Sequence, residues 1–283
     1  MGKQYTCGNA SVVYNRGHRE IAMTNRYINP YTDFGFKRLF GEEANKNLLI
    51  DFLNSLLPEE HQIKTLEFLN TEQFGRIVTE RKAIFDIYCE AENGERFIVE
   101  MQQADQRWFK DRALFSVTFP IRHQALRGRD WKYELQAIYF IGVLDFRYDE
   151  EEERQKFLRD VMLKDQDGDV FYNKLRFIFL QMPLFTKTES ELGTRRDKWC
   201  YFLKNLIDFD QIPAIFREPV FEQAFATAEV AKMNQEELNI YEENLMVYWT
   251  NHAVMDYKEE KGFDSCLIAE TTGLSVDEIE RLK

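Results

Sequence analysis

Residues 81–103, RKAIFDIYCEAENGERFIVEMQQ, decide the fold of this chain. The segments RKAIFDIYC and RFIVEMQQ are rich in β-branched and aromatic side chains, a composition typical of strands. Between them, Glu92-Asn93-Gly94 suits a tight turn, because glycine adopts the left-handed backbone conformation without strain. The stretch therefore predicts an antiparallel β-hairpin.

Each predicted strand carries one carboxylate in an apolar setting, Asp86 within FDI and Glu100 within VEM. Burying a charged side chain costs free energy unless an opposite charge, hydrogen bonds or a metal compensate it. Two such side chains on neighbouring strands make the hairpin the first candidate for a functional site.

The length of the turn determines whether the two carboxylates share a face of the hairpin. A three-residue loop, Glu92 to Gly94, places Asp86 opposite Glu100. A two-residue loop of Asn93 and Gly94 places Asp86 opposite Met101 and turns Glu100 to the other face. Carboxylates buried on separate faces cost more free energy, which favours the three-residue loop.

In that register Asp86 and Glu100 converge, and Gln102 lies one step further along the same face. Two carboxylates and a backbone carbonyl, that of Met101, form an oxygen donor set that suits Mg²⁺ or Mn²⁺. Such an ion activates water and stabilises charge on a phosphate. In the alternative interpretation both acids form ion pairs on a solvent-facing strand, with Arg81, Lys82 and Arg96 as partners.

The remaining patterns predict a mixed sheet flanked by helices. Helices are predicted in two pieces over 30–58, over 105–127 with a bend near Pro120 and an end at Gly128, over 150–163 as a charged helix, and through most of 189–260. Strands are predicted over 63–69, 135–146 and 174–185. The apolar run 135–146 favours a strand buried on both faces. The order of elements predicts an α/β or α+β fold.

The composition is that of an ordinary globular protein, with 283 residues of which 44% are hydrophobic and 30% charged. The four cysteines and four histidines are scattered without metal-binding spacing, so we expect neither a zinc site nor disulfides. We find neither a signal-peptide core nor a run of about 18 apolar residues, which predicts a cytoplasmic protein without a membrane segment.

The net charge of -12 argues against a protein that coats nucleic acid generally. The acidity is uneven, however: residues 1–132 carry a net charge of +1 and residues 133–283 carry -13. The window 107–132 carries +5 and includes the aromatic Trp108 and Phe109. Its bases indicate a surface for a phosphate backbone or, alternatively, arginine stems that cover core edges. They are Arg107, Lys110, Arg112, Arg122, Arg127, Arg129 and Lys132.

Five sequence motifs, taken in order, resemble those of the PD-(D/E)XK nucleases. They are NPYTDFGFKRLFG (29–41), NKNLLIDFLN (45–54), FDIYC followed by IVEMQ, KDRALF (110–115) and QALRG (124–128). The similarity is to their recombination-promoting nuclease and transposase branch and covers about residues 27–200. It implies a restriction-endonuclease-like core, a central mixed β-sheet flanked by helices, and a metal-dependent DNA endonuclease activity. A helical C-terminal region would follow that core.

The resemblance also implies roles for particular residues. Asp86 and Glu100 match the two metal-binding acids, and Gln102 stands where the wider family has lysine. A neutral amide orients water but offers no positive charge. Asp33 is the best match for a further acid on the leading helix, or else the N-cap of that helix, and Lys37 one turn later would lie near a phosphate.

The expected domain division is a flexible extension over 1–26, a nuclease-like domain over 27–200 and an acidic helical region over 201–283. The terminal LIAETTGLSVDEIERLK is similar to small helix-turn-helix units, with Ser275 as an N-cap. Its acidic second helix favours packing, or contact with a second copy or a protein partner, over DNA reading. The rival hypothesis for the whole chain is a catalytically weak or inactive nuclease fold that binds DNA or protein.

Overall fold

The computed structural model describes residues 4–7, 10–13, 25–73, 83–104, 108–125, 134–148, 156–261 and 274–282. The chain divides into two compact units, each built from separate stretches of sequence. The helical unit comprises Met1–Ser55 and Lys187–Tyr248, and the sheet unit comprises Leu56–Thr186 and Trp249–Lys283.

The strands are β1 (Gln4–Cys7), β2 (Ala10–Val13), β3 (Leu66–Phe68), β4 (Glu72–Gln73), β5 (Ala83–Ile84), β6 (Ile87–Ala91), β7 (Arg96–Gln102), β8 (Ile138–Leu144), β9 (Leu158–Lys164) and β10 (Val170–Gln181). The α-helices are α1 (Asp33–Phe40), α2 (Lys46–Leu56), α3 (Phe109–Gln124), α4 (Arg195–Asn205), α5 (Pro219–Ala228), α6 (Gln235–Lys261) and α7 (Val276–Leu282). Within the ranges described above, no helix combines the length and the apolarity that a membrane crossing requires.

The sheet unit is organised around six strands in the order β3-β6-β7-β8-β10-β9. The pairs β7–β8 and β8–β10 are parallel and the other pairs are antiparallel, so the sheet is mixed. A parallel pair needs a crossover connection, and α3 lies in the connection between β7 and β8. All seven residues of β8 are buried, which confirms the strand predicted to be covered on both faces.

One face of the sheet packs its aromatic and aliphatic side chains against α3, whose Ala113 and Val117 belong to the same buried cluster. Gly142 of β8 lies on this face beside Glu100 of β7. A Cβ at Gly142 would lie 2.9 Å from Cδ1 of Phe179, so any side chain there would displace that ring. Glycine at this position lets the aromatic core close over the strand next to Glu100.

The predicted charged helix over 150–163 is wrong from residue 158 onward, where the chain forms β9 and then turns into β10. The turn is built by Asp165, whose Oδ1 accepts hydrogen bonds from the backbone N–H groups of Asp167 (3.0 Å) and Asp169 (2.9 Å). Gly168 adopts a φ of +91°, the left-handed conformation that such turns require. The start of the predicted helix, residues 150–155, lies outside the described residues.

Other predicted elements are confirmed with different bounds. The helix expected over 105–127 is α3, which contains Pro120 and ends at Gln124, and its expected end at Gly128 lies outside the described residues. The strand expected over 174–185 is β10, and the helices expected through 189–260 are α4 to α6. Of the N-terminal extension, β1 and β2 are described and pair antiparallel.

The helical unit confirms the two helices predicted over 30–58. Thr32 caps α1 by accepting a hydrogen bond at Oγ1 from the N–H of Gly35 (3.0 Å). Asp33 is therefore the first residue of the helix, and its alternative role as the N-cap is wrong. The capped helix buries Phe36 and Leu39, in agreement with the apolar face that the sequence predicted.

Ser275 is the N-cap of α7, as predicted. Its Oγ accepts a hydrogen bond from the N–H of Glu278 (3.2 Å), while Oε2 of Glu278 accepts from the N–H of Ser275 (2.8 Å). This reciprocal pair is a capping box. The helix that would precede it in a helix-turn-helix unit falls in residues 262–273, outside the described residues.

Candidate metal-binding site on the β6–β7 hairpin

The turn of the hairpin is the three-residue loop that the sequence favoured. The N–H of Ala91 donates to the carbonyl of Glu95 at 2.8 Å, which closes the loop around residues 92–94. Gly94 has a φ of +80°, the left-handed conformation expected at this position. The predicted alternative, a two-residue loop, is therefore excluded.

This loop fixes the register of the two carboxylates. Ile87 pairs with Val99, so the next pair along the strands brings Asp86 opposite Glu100. Asp86 lies close enough to act electrostatically on Glu100, in agreement with the expected register. The face of these two positions is the one packed against α3, because Tyr88 and Ile98, which pair with each other, belong to the same buried cluster as α3.

Asp86 differs from prediction in one respect, because it does not lie within a strand. The chain bends at Asp86, between β5 and β6. The bend turns the carboxylate toward β7, where Oδ2 accepts a hydrogen bond from the N–H of Met101 at 2.8 Å. The residue next to Glu100 in sequence therefore holds Asp86 in place.

Glu100 is a buried acid with only 6% of its surface exposed. The pKa of Glu100 is raised from 4.5 to about 7: burial is the largest cause, the negative charge of Asp86 adds to it, and Arg112 and a hydrogen bond from Gln102 lower it in part. The Gln102 amide Nε2 donates to Oε2 of Glu100 at 2.9 Å. Two acids thus lie close together, Glu100 buried and Asp86 partly buried, an arrangement that favours binding of a cation.

The predicted ion-pair alternative does not hold for Arg96. Its Nε lies 2.7 Å from Oε2 of Glu90, at the turn end of the hairpin and away from Asp86 and Glu100. The other proposed partners, Arg81 and Lys82, lie outside the described residues.

The donor set fits a hydrated hard cation. Within the described residues no group of three or more histidine, cysteine or acidic side chains is arranged to hold a metal. The hairpin therefore supplies two carboxylates, with the carbonyl of Met101 as a further oxygen. Magnesium and manganese suit such a site, because magnesium binds proteins through one or two carboxylates and keeps several waters.

The structure brings together part of the predicted set of site residues. Asp86, Glu100, Met101 and Gln102 share the end of the hairpin, and Arg112 of α3 acts electrostatically on Glu100. Asp33 and Lys37 form an ion pair of 2.7 Å on α1, which belongs to the helical unit.

The predicted basic window is only partly described. Lys110 lies with its Nζ 5.1 Å from the centre of the Tyr148 ring. Trp108 is 61% exposed, whereas Phe109 is buried in the core, so only the first of the two aromatic side chains is available to a ligand. The guanidinium of Arg122 lies 5.4 Å from the ring centre of Phe119. The remaining predicted bases of the window lie outside the described residues: Arg107, Arg127, Arg129 and Lys132.

Sequence reasoning missed a set of side chains at the adjacent strand ends. Asp145 follows β8, and its N–H donates to the carbonyl of Gln102 at 2.9 Å. Oδ2 of Asp145 lies 3.0 Å from Nε2 of His252 on α6, and Asn251 donates to Oε1 of Gln103 at 3.2 Å. The last part of α6 is thereby fastened to the strand end that carries Glu100.

A signal for Asp145 was present in the sequence, because an acid directly after a buried strand marks the carboxyl end of that strand. Using it required knowledge that β8 runs parallel to β7. His252 carried no comparable signal, since a histidine within an acidic helix has no distinctive pattern.

A family model described as PD-(D/E)XK nuclease family transposase matches residues 30–258. The match covers most of the chain, and the chain belongs to this family. No curated protein and no solved structure shows a significant match. The mixed six-stranded sheet flanked by helices, with helices at the C-terminus, is consistent with the nuclease fold that the resemblance implied. The match also extends past residue 200 into α6, and so includes Asn251 and His252.

Proposed function

We propose that the protein is a metal-dependent DNA endonuclease of the transposase or recombination-promoting type. The observation that carries the proposal is the position of Asp86 opposite the buried Glu100, in a chain that belongs to a nuclease family. Neighbouring carboxylates, one of them buried, destabilise the fold unless a cation offsets their charge. The arrangement therefore favours a role that requires both acids.

Asp86, Glu100 and the carbonyl of Met101 would hold Mg²⁺ or Mn²⁺. When bound, the ion supplies an acidified water and stabilises negative charge on the phosphate. The N–H of Met101 and the amide of Gln102 each donate to one of the two carboxylates and fix its direction. The protein thus orients both acids before any ligand arrives.

Gln102 would position the attacking water. Its Nε2 is engaged by Glu100, which leaves its carbonyl oxygen as an acceptor for a water proton. In the proposed reaction a water oxygen bonds to phosphorus as the bond from phosphorus to the ester oxygen breaks. The attacking water gives one proton to solvent, and the departing oxygen takes one from solvent to become a hydroxyl. Because Gln102 is uncharged, Arg112 is the side chain on α3 that would offset charge on the phosphate.

The remaining predicted residues belong to the proposal as DNA contacts. Arg107, Lys110 and Arg112 would seat the phosphate backbone, with Lys37 as a further contact and Asp33 as an additional acid. Asp33 and Lys37 are about half exposed, so both are accessible to a large ligand. A cytoplasmic location, and contact with a second copy or another protein through the C-terminal helices, complete the proposal.

A plasmid-nicking assay with Mg²⁺ or Mn²⁺ tests the proposal. The wild-type protein is expected to nick supercoiled DNA, and Asp86→Ala and Glu100→Ala to abolish nicking. Glu90→Ala is the matched control, because it removes an acid of the same hairpin that pairs with Arg96. Equal activity in all four proteins would rule out the site.

A second candidate is a nuclease fold that has lost its activity and binds DNA or protein. The neutral Gln102 and the charge of -13 over residues 133–283 favour it. A fluorescence-anisotropy measurement with labelled duplex DNA distinguishes the two when it is combined with the nicking assay. Tight binding of DNA without cleavage in either metal would favour the binding module.

A further inference from the structure

Strand β9 is the outer edge of the six-stranded sheet, next to β10. In the part of the chain that the structure describes, no strand pairs with its outer side. Val161 and Leu163 point to one face of β9 and are 43% and 45% exposed. A seven-residue edge strand with exposed apolar side chains is a template for pairing with another strand.

The direction of the backbone groups of β9 follows from one hydrogen bond. The N–H of Gln181 donates to the carbonyl of Phe157 at 2.8 Å, so the backbone groups of residue 157 point toward β10. Because this direction alternates along a strand, residues 159, 161 and 163 also point toward β10. The N–H and C=O groups of Asp160, Met162 and Lys164 therefore point outward.

This alternation limits how β9 can pair antiparallel with β9 of a second copy. Outward-facing residues must lie opposite outward-facing residues, so the two-fold axis passes through a residue and not between two residues. With the axis at Met162, Asp160 lies opposite Lys164 of the second copy. Asp160 also pairs with Arg176 of β10 in its own chain, so Lys164 would add a second partner to this carboxylate. Val161 then lies opposite Leu163 of the second copy, and both pairs occur twice by symmetry.

If the axis passes through a neighbouring residue, the side chains that face each other across the two strands are less complementary. An axis at Asp160 places two carboxylates opposite each other, and an axis at Val161 places Asp160 opposite Met162. An axis at Leu163 places Val161 opposite Asp165. Of these positions, the axis at Met162 places side chains of opposite charge opposite each other and also places apolar side chains opposite each other.

We propose that the protein forms a two-fold symmetric dimer in which β9 pairs antiparallel with β9 of a second copy, with Met162 on the axis. The two sheets would join into one continuous sheet, and the exposed Val161 and Leu163 would be covered. Such a dimer would carry two hairpin sites, a number that suits cleavage of both strands of a duplex. The dimer itself requires neither a metal nor DNA.

Sedimentation equilibrium over a dilution series, without metal or DNA, tests the dimer. The wild-type protein is expected to show a monomer–dimer equilibrium. Lys164→Asp places acids opposite Asp160, and Asp160→Lys places lysines opposite Lys164, so each variant alone is expected to be monomeric. An equimolar mixture of the two variants restores both opposite-charge pairs and is expected to form a heterodimer.

Two further variants keep the test independent of folding. Met162→Pro removes an outward N–H and is expected to abolish the dimer without breaking the β9–β10 pairing. Asp167→Lys makes the same charge change as Asp160→Lys within the turn and is expected to leave the dimer intact. Circular dichroism checks that each variant folds. A monomeric wild type, or a dimer that persists in both charge variants and in Met162→Pro, would overturn the proposal.

Discussion

The two ends of the β6–β7 hairpin differ in whether their charged side chains have partners that offset the charge. At the turn end, Arg96 pairs with Glu90 at 2.7 Å. There the carboxylate of Glu92 also accepts the backbone N–H groups of Lys64 (3.0 Å) and Thr65 (3.1 Å). Each of these charges is therefore matched by a partner of opposite charge or by hydrogen-bond donors.

At the other end, two charges of the same sign lie opposite each other. Asp86 raises the pKa of Glu100 beyond what burial alone does, and Arg112 and Gln102 counter the shift only in part. At the turn end Glu90 and Glu92 thus have partners, whereas the other end is destabilised by its own two acids. Side chains that destabilise a fold are expected at functional sites, which supports the proposal that these two acids would bind a cation.

The largest expected difference between the two ends is in DNA cleavage. Asp86→Asn and Glu100→Gln keep the size of the side chains but remove a negative charge, and each is expected to slow nicking at least about 1000-fold, or about 4 kcal/mol. Glu90→Gln at the turn end is expected to stay close to wild type. Initial rates of plasmid nicking measure the effect, and a similar loss in all three variants would contradict the comparison.

The next largest effect is on stability as a function of pH in a metal-free protein. Because the pKa of Glu100 is raised from 4.5 to about 7, the folded state keeps a proton that the unfolded state has lost. Stability is therefore expected to fall as pH rises from about 4.5 to about 7, by up to about 3 kcal/mol.

Urea unfolding at about pH 5 and about pH 8 measures this loss through the midpoint and slope of the transition. Glu100→Gln cannot ionise, so its stability is expected to change less between the two pH values. Asp86→Asn is expected to reduce the loss in part, because it removes the like charge beside Glu100. Equal pH dependence in wild type and Glu100→Gln would show that Glu100 is not the titrating group.

A smaller effect is expected when a positive charge is introduced at position 102. Gln102→Lys places an ammonium beside Glu100, which lowers the pKa of that acid and offsets charge on a phosphate. Nicking at limiting Mg²⁺ is expected to rise roughly tenfold, or about 1.4 kcal/mol. Slower nicking with unchanged stability would show instead that the amide has a positioning role that lysine cannot replace.

The smallest effect is expected at the matched end. Glu90→Gln breaks a partly exposed ion pair with Arg96, and such pairs contribute up to about 1 kcal/mol. The change in the free energy of unfolding is therefore expected to be below that value at about pH 7. A loss as large as the one predicted for ionised Glu100 would mean that the turn end is not simply a surface ion pair.

Local chemistry made the hairpin predictable from the sequence. Gly94 in the turn and the cost of separating Asp86 from Glu100 were enough to select the register, which the structure confirms. The same reasoning failed at β9, where the charges before Leu158 favoured a helix and the turn signal in Asp165–Asp169 was overlooked. In this segment the hydrogen bonds of the turn determine the structure more strongly than the charged composition that favoured a helix.

The surroundings of the site were not predictable in the same way. Asp145 approaches Gln102 because β7 and β8 are parallel, a pairing that depends on a long crossover. His252 reaches Asp145 from 107 residues away along the chain. No local pattern specifies such contacts, since they arise only when distant elements pack together.

Calorimetric titration of Mn²⁺ into the metal-free protein tests most directly whether the acidic end of the hairpin is a cation site. The wild-type protein and Glu90→Gln are expected to bind Mn²⁺ with the same affinity, whereas Asp86→Asn and Glu100→Gln lose that binding. Absence of binding to the wild type at millimolar Mn²⁺, or equal binding to all four proteins, would show that Asp86 and Glu100 do not form a cation site.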